Sequence, residues 1–153
     1  MYTKDQVSQL KQAFWTAFGQ YISPHPSADG LKINWINYKT GFKHLYFKMQ
    51  ADHRSATVSI EMSHPDPDIQ ALMFEQFQAF KNILKVALNE EWEWQLHGQD
   101  EYGKTISRIY KNLSDVSVLK KEDWPALISF FKPRIIALDE FWSDAQYSFE
   151  LFR

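Results

Sequence analysis

Ser55-Ala56-Thr57-Val58-Ser59-Ile60-Glu61-Met62 decides how this chain folds. Ala56, Val58, Ile60 and Met62 recur at every second position, and Ser55, Thr57, Ser59 and Glu61 fill the positions between them. Successive side chains of a strand point to opposite sides, so the octapeptide reads as a strand with one face buried and one face wet. Phe42 to Ala51, just upstream, alternates less cleanly. Leu45, Phe47, Met49 and Ala51 share one face, and Phe42, His44, Tyr46 and Lys48 share the other. Lys39-Thr40-Gly41 and Asp52-His53-Arg54 are short enough for hairpin connections. With further alternation from Leu31 onward, the region up to Met62 reads as a three-stranded antiparallel meander.

Helical spacing brackets this region. Thr3 and Gln6 stand at capping-box spacing. Val7, Leu10, Phe14, Ala17, Phe18 and Tyr21 follow at intervals of three and four, with Trp15 off the stripe. Ser23-Pro24-His25-Pro26 ends that helix, because proline lacks an N–H and biases its predecessor away from helix. After Met62, Asp66 stands at an N-cap with Pro67 at the first helical position, and an apolar stripe runs from Ile69 to Leu88. That helix is expected to pack on the face carrying Val58, Ile60 and Met62. Glu91 to His97 alternates with Trp92, Trp94 and Leu96 on one face, and Gly98 to Gly103 is a polar turn. Lys104 to Asn112 continues as a strand, with Ile106 and Tyr110 opposite Ser107 and Ile109. Asp123 and Pro125 open a final helix that Pro133 is expected to kink or split. The expected fold class is therefore α+β: an antiparallel sheet of about five strands in α-βββ-α-ββ-α order with helices packed on the sheet, as a single domain over 1–153.

Composition narrows the chemistry. Six Trp, seven Tyr and twelve Phe supply enough apolar area for a core without staples. The chain has no Cys, which excludes disulfides, thiolate catalysis and Cys-ligated metals. A net charge of −2 shows no basic footprint at whole-chain level, although a local patch is compatible with it. The N-terminus lacks the apolar run of a signal peptide, and no apolar stretch approaches a membrane span. The expectation is a soluble cytoplasmic protein with no membrane partner.

No catalytic motif stands out. The order of elements matches the core of PD-(D/E)xK nucleases, whose carboxylates hold a divalent metal beside a lysine. Glu61 occupies the third strand of such an arrangement, but Ser63 stands where the lysine is needed, and Asp66 follows instead of preceding. The five His form no H-x-H or H-E-x-x-H pattern, so no metal is expected. Glycines do not cluster as in phosphate loops, and no cofactor is implied. Two surfaces are singled out. Tyr38, Lys39, Phe42, Lys43, His44, Tyr46 and Lys48 interleave bases and aromatics, as a nucleic-acid platform does; Tyr38, Lys39, Lys43, His44, Tyr46 and Lys48 are its candidate contacts. Phe141, Trp142, Phe149 and Phe152 crowd the C-terminus, either docking back onto the chain or forming a homodimer interface.

Glu91-Trp92-Glu93-Trp94, Gly98 to Ile106, Asp123-Trp124-Pro125-Ala126-Leu127-Ile128-Ser129-Phe130 and Asp139-Glu140-Phe141-Trp142 together resemble domain-of-unknown-function family 4268, a bacterial family. The resemblance covers nearly the whole chain. Its motifs are structural and carry over no catalytic residue. In some members a similar domain follows a nuclease-like domain, so the resemblance implies a non-enzymatic accessory role in nucleic-acid or restriction-type systems. The contrasting expectation is a divergent metal-dependent nuclease, which would need Asp52 and Glu61 to converge.

Overall fold

The computed structural model describes residues 1–153. Four antiparallel strands, β1 (Leu45–Ala51), β2 (Ser55–Met62), β3 (Glu93–Gln99) and β4 (Thr105–Ser114), form one sheet in the order β1-β2-β4-β3. The helices are α1 (Lys4–Ile22), α2 (Pro67–Ala79), α3 (Lys81–Leu88) and α4 (Trp124–Ala145). Single 3₁₀ segments, Lys121–Asp123 and Gln146–Phe152, flank α4. Two hairpins, β1–β2 and β3–β4, are thus joined along a β2–β4 seam, in which Val58 faces Lys111 and Ile60 faces Ile109. No helix is long and apolar enough to cross a membrane.

The sheet has four strands where about five were expected, and the three-stranded meander is not formed. The stretch after Leu31 alternates in sequence but is irregular in space. Asn34 Oδ1 accepts from Ile36 N (3.1 Å) and Asn37 N (3.0 Å), a local turn that competes with ladder pairing. Trp35 donates its indole N–H to His25 O (3.0 Å), which ties the segment to the end of α1. The second neighbour of β2 is therefore β4. β1 itself begins only after His44, whose positive φ of 63° interrupts the extended backbone.

The second helix is also shorter than its stripe. It breaks at Phe80 (φ −102°, ψ 13°), whose N–H turns to Phe77 O (2.9 Å). The Phe80 ring meets Phe141 (6.2 Å) and Phe149 (5.9 Å), so the chain changes direction. α2 lies on the sheet, against β2, β3 and β4, while α3 turns to run against α4. At the opposite end, α4 runs unbroken for 22 residues through Pro133. One lost backbone hydrogen bond is outweighed there by burial of Leu127, Phe130, Phe131, Ile135, Leu138 and Phe141. Asp123 does not cap α4 with its side chain; Oδ2 accepts instead from Ser117 N (2.9 Å). The Thr3–Gln6 capping box is present in both directions, at 3.1 and 2.8 Å.

The inner face of the sheet carries Phe47, Val58, Ile60, Met62 and Ile109, all buried beneath the helices. Trp142, 2% exposed, sits at the centre of this layer. Its ring meets Phe42 (5.3 Å), Phe47 (5.7 Å), Phe77 (6.0 Å) and Phe149 (5.0 Å), and its N–H donates to Thr40 O (2.8 Å). Aromatic pairs of this kind contribute about 0.5–1.5 kcal/mol each beyond simple burial. Phe141 and Phe149 are likewise buried and Phe152 is half-buried, so the C-terminal aromatics dock within the chain.

Candidate interaction face

The other face of the sheet is largely open, with Tyr46, Gln50, Glu93, Gln95 and Asn112 exposed on it. Antiparallel register places directly opposed residues on the same side, and two rows cross the strands there. One row runs Tyr46–Glu61–Arg108–Gln95, and the next runs Lys48–Ser59–Tyr110–Glu93. Two cations and two phenols therefore frame one central carboxylate, Glu61, which is 8% exposed. Lys48 Nζ reaches Glu61 Oε2 at 3.0 Å across the two rows. Arg108 lays its guanidinium over the Tyr110 ring (4.3 Å) and donates from Nη2 to Gln95 Oε1 (3.1 Å), while its Nε is buried without a partner. The Tyr110 hydroxyl donates to Glu93 Oε2 (2.8 Å); that bond, with burial, pushes its pKa upward against the pull of Arg108. Thr57 donates to Asn112 Oδ1 (2.7 Å) one row further on.

Lys48, Thr57, Ser59, Glu61 and Arg108 floor a trough of about 550 Å³. One wall is the tip of the β3–β4 hairpin, with Gln99, Asp100 and Tyr102; the other is Trp15 and Lys11 of α1. Trp15, off the apolar stripe of its helix, packs on Phe131 (5.2 Å) and borders this trough. Asp100 shapes the hairpin by accepting from Tyr102 N and Lys104 N (both 2.9 Å), and Gly103 supplies the positive φ (78°) that the turn needs. A bulge between Gln95 and Gly98, with His97 at φ 53°, re-aims β3 and leaves Leu96 half out in water instead of on the Trp92–Trp94 face.

The basic and aromatic set divides. Tyr46, Lys39 and Lys43 are exposed, and Lys48 and His44 are half-buried. Tyr38 is withdrawn: it stacks on Phe47 (5.2 Å) and donates its hydroxyl to Asp139 Oδ1 (2.6 Å). Burial first, and then that carboxylate, push the Tyr38 pKa far above the usual phenol value. A ring so placed offers no face for stacking. Arg108, Tyr110 and Tyr102 join Tyr46 and Lys48 although the sequence reading left them out; the alternation of Arg108 and Tyr110 with Ile109 is the signal that marks them.

Asp52 and Glu61 do not converge. Asp52 Oδ1 accepts from Arg54 N (2.9 Å), Ser55 N (2.8 Å) and Ser55 Oγ (3.3 Å), at the start of β2. Burial would raise its pKa, but those hydrogen bonds outweigh it and hold the carboxyl below its usual range. Glu61 lies six residues along the strand, roughly 20 Å away at about 3.3 Å per residue. No group of three or more His, Asp or Glu side chains is placed to hold a metal.

The fold and this face define an α+β module with a helix-covered sheet and one open, polar sheet surface. The chain belongs to the family described as a domain of unknown function, DUF4268, which matches residues 10–146. No curated protein and no solved structure matches it.

Proposed function

We propose that residues 1–153 act as one non-enzymatic interaction domain, working in the cytoplasm as an accessory in nucleic-acid or restriction-type systems, with the open sheet face as its contact surface. The observation that carries this reading is the pair of rows across that face, where Tyr46 and Tyr110 lie beside Lys48 and Arg108. Single strands are held by stacking bases on aromatic rings while cations attract the backbone, and stacking contributes about 1–3 kcal/mol per base. The test is fluorescence polarisation of a labelled single-stranded oligonucleotide at several salt concentrations. Tyr46→Ala and Lys48→Ala should each weaken binding severalfold. Lys48→Ala should also flatten the salt dependence. Absence of binding at low salt, or binding indifferent to both substitutions, would sink the nucleic-acid reading. The nuclease alternative has no second carboxylate beside Glu61 to support it.

For self-association the surface on offer is centred on α3 and borders Phe141, while Trp142 and Phe149 are enclosed within the chain. Ile83 and Val86 of α3 are 60% and 80% exposed, over a groove shared with Phe80, Phe141 and Ala145. The α4 wall of that groove carries Glu140 and Asp144, while Lys81 and Lys85 lie on the other side of α3, over Trp94 and paired with Glu91, so a two-fold contact here rests on the apolar residues. Light scattering of the wild type against Ile83→Glu/Val86→Glu decides it: a dimer that becomes monomeric supports this contact, and a monomeric wild type removes it.

A further inference from the structure

We propose that the end of the sheet where Lys43, His44, His64 and Lys104 meet is a binding site for a phosphoryl group. The topology brings these residues together. Lys43 and His44 precede β1, His64 follows β2, and Lys104 precedes β4; antiparallel register puts all three of those strand ends on one side of the sheet. The imidazoles of His44 and His64 meet edge to face at 5.0 Å. Asp66 N donates to His64 Nδ1 (3.0 Å), which leaves the proton of the neutral ring on Nε2 as a free donor. The same bond occupies the nitrogen lone pair opposite that proton, so His64 is set as a donor to an anion and not as a metal ligand.

The site is built rather than incidental. Gln70, 1% exposed, donates from Nε2 to both His64 O and Thr105 O (3.1 Å each) and accepts from Ser107 Oγ (2.6 Å), locking the His64 and Lys104 segments to each other. Ser63 N donates to His44 O (2.9 Å), and the buried Thr40 hydroxyl donates to Leu45 O (2.9 Å), which fixes the Lys43–His44 corner. His44 is held there at φ 63°, a left-handed conformation that in a non-glycine residue persists only where its surroundings enforce it. Neither lysine has a carboxylate partner in any ion pair of the structure. Burial and then the charges of His64, Lys104 and Lys43 all lower the His44 pKa. Two lysines without an ion-pair partner thus stand beside two imidazoles that can donate, while the nearest carboxylates, Asp66 and Asp100, are engaged by the backbone N–H groups of Asp68, Tyr102 and Lys104. A tetrahedral phosphoryl group offers several acceptor oxygens, enough for two imidazoles and two ammonium groups at once.

The site lies beside the open face and does not depend on strand binding there, so inorganic phosphate tests it alone. The imidazole nitrogens of the wild-type chain, followed by NMR during titration with phosphate and with chloride at equal ionic strength, should shift saturably at His44 and His64 in phosphate only. The His44 titration midpoint should rise on binding. Lys43→Ala/Lys104→Ala changes two exposed side chains, should keep the amide spectrum of the folded chain, and should weaken phosphate roughly tenfold or more. Lys43→Gln and Lys104→Gln singly replace the double variant should it fail to fold. Equal shifts in chloride, or phosphate affinity untouched by the lysine variants, would overturn the site. Competition assigns the source. Displacement by a 5′-phosphorylated oligonucleotide but not by its unphosphorylated twin marks a monoester, displacement by both marks a backbone diester, and displacement by neither marks a small free phosphate compound. Phosphate binding that survives while Tyr46→Ala has no effect on oligonucleotides would retain this site and discard the open-face reading.

Discussion

Asp139 shows how one residue secures a long irregular segment. It is 6% exposed on α4, and its two oxygens accept from Tyr38 Oη (2.6 Å) and Ala28 N (2.7 Å). Both donors belong to the stretch between α1 and β1 that has no ladder of its own. Asp139→Ala leaves two part-buried donors to find water and should cost about 2 kcal/mol in urea unfolding; Tyr38→Phe removes one bond and should cost about 1 kcal/mol. The pair also sets an alkaline limit. Because the folded Tyr38 pKa is raised, the folded state keeps a proton that the unfolded chain loses near pH 10, so stability falls as pH rises above that value. Chemical denaturation across pH 9 to 11 should show this fall in the wild type and a shallower one in Tyr38→Phe. Equal slopes would mean that the hydroxyl is not held. This clamp could not be read from sequence: Tyr38 looked like a stacking ring because basic residues surround it, and a partner 101 positions away leaves no local trace.

Among the elements, local signals were legible where a backbone group is satisfied nearby. The Thr3–Gln6 box and the Asp66–Pro67 start both appear as their spacing implies, and Thr3→Ala should cost about 1 kcal/mol by thermal unfolding. Alternation in Ser55 to Met62 was legible because apolar and polar side chains take opposite faces of the strand, although Ser59 and Glu61 on the polar face are buried as well. The phantom strand after Leu31 and the break at Phe80 were not: Trp35 is tied back to His25 at the end of α1, and Phe80 turns to Phe141 and Phe149, partners that lie outside the local pattern. Half of the candidate face was legible in Tyr46 and Lys48; the other half became visible only once β4 was known to lie beside β2. Another contact between elements binds the α3–β3 connection to α4. Arg134 donates to Glu90 from Nε (2.8 Å) and Nη2 (2.9 Å), and to Phe130 O from Nη1 (2.9 Å). Burial alone would raise the Glu90 pKa, but the guanidinium and the Trp92 indole outweigh it and lower it. A depressed folded pKa gives stability that is present at neutral pH and lost as pH falls through that value. Arg134→Ala should therefore cost about 1–2 kcal/mol at pH 7 and progressively less in acid, measured by denaturant titration at both pH values.

For the molecule as a whole, the central position of Trp142 implies that the C-terminal segment is structural. A chain truncated after Asp139 loses Trp142 and Phe149 from the core and should show no cooperative thermal transition, whatever its state of association. A sharp transition in that chain would mean that the core closes without them. The β2–β4 seam has a kinetic consequence. Each hairpin closes over a short loop, whereas the seam joins chain segments separated by two helices and a strand, and distant closure is the slow event in folding. Ile60→Val and Ile109→Val, which thin the seam, should slow refolding in stopped-flow measurements, and Phe149→Leu, at a late-docking end, should mainly hasten unfolding. The opposite pattern would place the terminal aromatics in the nucleus. Until the seam shuts, two half-sheets wait with bare inner faces, and the interval before they meet is when this chain is most open to capture by another copy of itself.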